Sequence, residues 1–130
     1  MEMGGPIQDG EVAKEEIARE IVKVHQESYG TSARKVQVAL HDDFIAVVLD
    51  LDLTQAERTL IERGNGDSVK ATREAFQEAI EPTFTAIVER AVGRRVIGFA
   101  SRTIVGTGGS WSIEAFRLAD HSSLADDSSL

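Results

Sequence analysis

Six consecutive apolar residues, Phe44-Ile45-Ala46-Val47-Val48-Leu49, form the longest unbroken apolar run of the chain. A strand sends successive side chains to opposite faces, so such a run is hydrophobic on both. It therefore belongs in the middle of a sheet whose two faces both need cover. The run is far too short to cross a bilayer as a helix, which takes about 20 residues. We expect a chain that is not itself a membrane channel or pump and does not insert directly into a membrane.

The flanking residues extend this into a hairpin. Val36, Val38 and Leu40 alternate with Lys35, Gln37 and Ala39, the pattern of a half-buried strand. His41-Asp42-Asp43 supplies the turn into the apolar run. Upstream, Ala13, Ile17, Ile21, Val24 and Ser28 recur at helical spacing and predict a helix from Gly10 to Tyr29. Gly30 then serves as a left-handed cap.

Downstream, Thr54-Gln55-Ala56-Glu57 is a capping box opening a short helix to Arg63. Gly64-Asn65-Gly66-Asp67 breaks that helix, and Asp67 or Ser68 caps a longer one. The apolar stripe of the long helix is Val69, Phe76, Ile80, Phe84, Ile87 and Ala91. Pro82 falls inside without shifting its phase, which predicts a kink and not a chain reversal. Gly93 ends the helix. Val96 to Ser101 and Trp111 to Leu118 follow as two strands joined across Thr107-Gly108-Gly109-Ser110.

The predicted fold is α+β: helix, hairpin, short helix, long helix, hairpin. Its sheet is four-stranded and mainly antiparallel, with the helices packed on one face. A weak internal duplication supports this. Gly30…Arg34-Lys35-Val36 and Gly93-Arg94-Arg95-Val96 each join a long helix to a valine-led strand. Helices on one face leave the outer side of the apolar strand open, which argues for a homodimer. Residues 1–9 read as a flexible glycine-rich lead, residues 10–118 as one domain, and residues 119–130 as a disordered acidic tail.

Composition excludes several functions. With no cysteine, thiol catalysis, disulfides and cysteine-ligated zinc are ruled out. A formal net charge of −8 is opposite in sign to that of most proteins that work by neutralising phosphate, so no nucleic-acid partner is expected. Arg34-Lys35 and Arg94-Arg95 are read as solvated helix-end and strand-edge charges. The N-terminus has neither a basic start nor an apolar stretch, so no signal peptide is expected. The absence of cysteine is compatible with the cytosol, and a cytoplasmic location is expected.

Few residues stand out as chemistry. His41-Asp42-Asp43 and the Asp50/Asp52 pair lie at opposite ends of one strand, ~20 Å apart at strand rise, too far to share a cation. Thr107-Gly108-Gly109-Ser110 lacks the lysine and following helix of a phosphate loop. Asp67 would repel an anion from Arg63-Gly64-Asn65-Gly66. Glu57 and Glu62 read as surface acids. His25 sits near the apolar face of the first helix. It reads as a boundary histidine satisfied by a carboxylate, or with Tyr29 as part of a proton or ligand site. Trp111, opening a strand, reads as a core or interface anchor. His25, Tyr29 and Trp111 are the candidate ligand or interface residues. No catalytic residue, metal ligand or cofactor is assigned, and an enzyme is not expected.

A family resemblance rests on four stretches. They are Ile17-Ala18-Arg19-Glu20-Ile21-Val22 with Tyr29-Gly30, Leu53 to Asp67, Arg73-Glu74-Ala75-Phe76-Gln77, and Gly93 to Ser101. Together, over residues 11–118, they resemble MpsC, a bacterial family named for a sodium-translocating membrane-potential-generating system. The resemblance implies an accessory or regulatory subunit of a membrane system that moves sodium or handles inorganic carbon. Its partner would be a membrane transporter, holding it at the inner face of the membrane. The alternative is a small-molecule sensor with a pocket between helices and sheet. A third reading is an enzyme whose site is assembled from scattered residues.

Overall fold

The computed structural model describes residues 4–30, 33–106 and 108–120. The order is α1 (Gly4–Tyr29), β1 (Ala33–Leu40), β2 (Phe44–Leu51), α2 (Gln55–Glu62), α3 (Gly66–Ala79), α4 (Glu81–Val92), β3 (Val96–Ile104) and β4 (Trp111–Leu118). The α+β architecture is as predicted. α1 starts at Gly4, earlier than the apolar spacing indicates. Residues 121–130 of the expected acidic tail lie outside the described residues.

The four strands form one antiparallel sheet in the order β1-β2-β4-β3. β2 is interior, as its two apolar faces require. Its inward residues Ile45, Val47, Leu49 and Leu51 are buried, and they join Ile17 and Ile21 of α1, Phe84, Ile87 and Val88 of α4, and Phe116 and Leu118 of β4 in one core. Phe99 and Phe116 pack there with ring centroids 5.2 Å apart. The opposite face has no helix on it among the described residues. Ala39, Ala46, Ala115 and Ala100 form a row across all four strands, with Val48 and Ile113 beside it.

The predicted left-handed cap at Gly30 holds, with φ 78°, and Gly93, expected only to end its helix, is left-handed as well, with φ 69°. The single kinked helix becomes two. Ile80, at φ −99° and ψ 7°, ends α3 and starts α4, and Pro82 sits in the first turn of α4. A proline lacks the N–H that an interior helical position donates, but loses nothing in a first turn, where that donor is unpaired anyway. The chain therefore restarts a helix there. Asn65, not Asp67 or Ser68, occupies the N-cap of α3, and no side chain bonds to that end.

Candidate functional site

The capping box of α2 forms as its sequence predicts. The Thr54 hydroxyl accepts from the Glu57 amide at 3.1 Å, and Glu57 Oε1 accepts from the Thr54 amide at 2.9 Å. Glu57 does more than cap. Arg73 of α3 donates to both its carboxylate oxygens, each at 2.7 Å. Arg73 is completely buried, and the Glu57 side chain is only 14 % exposed. Glu57 is thus no surface acid, because α3 lays a guanidinium over it. Burial pushes its pKa up, but the Arg73 hydrogen bonds, the Thr54 amide and the Arg73 charge outweigh that and leave it lowered.

His25 belongs to the same network. It continues the buried stripe Ala13, Ile17, Ile21 of α1 and is fully buried. Its Nε2 lies 3.3 Å from Arg73 Nη1. A guanidinium only donates, so Nε2 is the acceptor, which assigns the neutral ring with its proton on Nδ1. An arginine meets this histidine. Tyr29 closes α1, and its side chain lies outside the described residues.

A second polar group lies on the inward face of β3 and β4. Ser112 and Glu114 point inward with Phe116 and Leu118, while Trp111, Ile113, Ala115 and Arg117 point outward. Glu114 pairs across with Ser101 of β3, and Ser112 with Thr103. Ser112, Glu114 and Thr103 are wholly buried, and so is Gln77 of α3. Burial pushes the Glu114 carboxyl up to about 7, against a smaller opposing pull from the Ser101 and Ser112 hydroxyls. Those hydroxyls stand short of full hydrogen bonds to it.

Trp111 is on the other face, 38 % exposed, so it is not a core anchor. It borders a cleft of about 840 Å³ where β1, β2 and β4 end near α2. Arg34, Lys35 and Arg58 line that cleft together with Asp50 and Asp52. The structure therefore brings His25 and Trp111 to different faces and does not unite them in one site.

Arg94 also departs from a solvated reading. Its Nε and Nη2 donate to the Ala119 carbonyl at 3.1 and 2.6 Å, and its Nη1 donates to the Asp42 carbonyl. It clips the β1–β2 turn to the end of β4.

Reading the sequence for apolar periodicity missed Arg73, Gln77 and Glu114. One signal was present. The α3 stripe runs from Val69 to Phe76 and skips a turn, and Arg73 fills that turn. On β4 the signal misleads, because Trp111-x-Ile113-x-Ala115 is the more apolar alternate set, yet it faces outward.

Among the described residues, no helix is long and apolar enough to cross a membrane. No curated protein and no solved structure matches the chain. Residues 10–117 match the family described as Na+-translocating membrane potential-generating system (MpsC), a span from α1 nearly to the end of β4, and the chain belongs to that family.

Proposed function

We propose that this chain is a non-enzymatic accessory or regulatory subunit of a bacterial sodium-translocating membrane system. In this reading it acts from the cytoplasmic side as a homodimer and docks on a membrane transporter. The observation that carries the proposal is the open sheet face, an alanine row with Val48 and Ile113 beside it, in a chain of this family. Exposed apolar surface of this kind marks a contact surface more often than a catalytic one. Four strands of this length present roughly 500 Å² per copy, so a symmetric pair would bury roughly 1,000 Å², near the lower bound for a stable interface.

The test is add-back. Inverted membrane vesicles from cells lacking this chain would be supplied with purified protein, and sodium-dependent membrane potential read with a voltage dye. Wild-type protein is expected to restore the potential, and Ile113→Asp to fail while remaining folded. A potential unaffected by loss of the chain would sink the proposal.

The cleft beside Trp111 supports a second reading, a small-molecule sensor. Its paired basic and acidic walls suit a small zwitterion. Saturable quenching of Trp111 fluorescence by such a ligand would favour this reading. No response across common amino acids would count against it.

A further inference from the structure

The inward block on β3 and β4 has a composition unlike the rest of the core. Glu114 sits directly across from Ser101, and Ser112 directly across from Thr103. Directly opposed residues hold their Cβ atoms about 4.5–5.5 Å apart, so these four side chains are immediate neighbours. Helix α3 packs against β3 beside them. Gly66 packs near Val105 and Glu74 accepts from the Thr103 amide at 2.9 Å, so α3 runs antiparallel to β3. The next turn carries Gln77 toward Ser101.

Six oxygens in this block have no hydrogen-bond partner among the described residues. They are both carboxylate oxygens of Glu114, the hydroxyls of Ser101, Ser112 and Thr103, and Oε1 of Gln77, whose Nε2 is unpartnered as well. Buried polar atoms are normally paired, and six in one place point to a ligand they share. Neighbouring charges are engaged elsewhere: Arg73 with Glu57, and Glu74 with Lys70 and the Thr103 amide. His25, on α1, meets Arg73. From β2, the residue opposite Glu114 is Val47, which carries no charge.

We propose that Glu114, Ser101, Ser112, Thr103 and Gln77 form a buried binding site for one dehydrated alkali cation. Oxygen donors alone select a hard cation. One carboxylate balances one positive charge. A divalent ion would leave an uncompensated charge in the core, which is strongly unfavourable. Protons compete for the same carboxylate, so the cation binds better at pH 8 than at pH 6.

The experiment is thermal unfolding of the purified full chain at constant ionic strength in N-methylglucamine, sodium or potassium chloride. At pH 8 the midpoint should rise in sodium or potassium by about 5 °C at a tenfold excess over Kd, and the larger rise identifies the cation. The rise should shrink at pH 6. Glu114→Gln should abolish it while keeping the wild-type circular dichroism spectrum, and Thr103→Ala should weaken it. If Glu114→Gln does not fold, line broadening of the ²³Na resonance by wild-type protein, relieved by acid, serves instead. Equal midpoints in all three salts, with no broadening, overturn the site. So does a response that survives Glu114→Gln. No partner is present in these measurements, so failure here leaves the accessory-subunit reading standing, and the reverse holds too.

Discussion

At the residue scale, two acids buried by the same fold behave oppositely. Glu57 has a guanidinium on it and stays ionised. Glu114 has only hydroxyls beside it and holds its proton to about pH 7. In the unfolded chain Glu114 titrates near 4.5, so folding takes up a proton between these values. Its contribution is full below pH 4.5 and is lost as pH rises through 7. The loss is on the order of 3 kcal/mol at about 1.4 per pKa unit. Urea titrations in N-methylglucamine buffers should show that decline, and Glu114→Gln should flatten it. Glu57 works the other way: its contribution is present above 4.5 and lost as pH falls through its lowered pKa. Removing either partner of the Arg73–Glu57 pair should cost about 3–5 kcal/mol, because the other is left charged and buried. Replacing both with leucine should recover most of that, and the double-mutant cycle measures the coupling.

At the element scale, caps and breaks decide where helices start and stop. Thr54→Ala removes one half of the capping box and should lower stability by about 1 kcal/mol in chemical denaturation. Gly93→Ala forces a Cβ into a left-handed backbone where nothing crowds it. Its cost is purely conformational, about 1 kcal/mol. The α3–α4 break shows why periodicity alone was insufficient. An apolar stripe that keeps phase through Pro82 looks like one helix, since the core wants the same face on both sides of the break. The backbone turns at Ile80 regardless, which only the tertiary structure reveals. β4 shows the converse failure, where the more apolar set of alternate residues faces away from the helices.

At the scale of the whole molecule, the fold repeats a helix followed by a hairpin, and the second strands of the two hairpins, β2 and β4, meet at the centre of the sheet. The helical layer covers one face, and the other is left to an alanine row. Ala115→Arg puts a charge in the middle of that row without touching the core. If the chain is a homodimer through this face, sedimentation velocity should report a dimer for wild type and a monomer for the variant, both with the same far-ultraviolet spectrum. A wild-type monomer at high micromolar concentration would rule out the homodimer.

What the sequence determined by itself is local. Alternation marked β1, an unbroken apolar run marked β2, glycine marked the left-handed cap after α1 and the end of α4, and Thr54 with Glu57 marked the start of α2. Each depends on residues a few positions apart, whose spacing dictates geometry directly. The tertiary structure decided what depends on pairs distant in the chain: which face of β4 turns inward, and where Arg73 finds Glu57, sixteen residues away. It also decided that Glu114 is shut in on the helical side of the sheet with three hydroxyls. A carboxylate written between Ile113 and Ala115 carries no mark of burial. Only the register of three strands and the helical layer on that face remove it from water, and that removal creates the site.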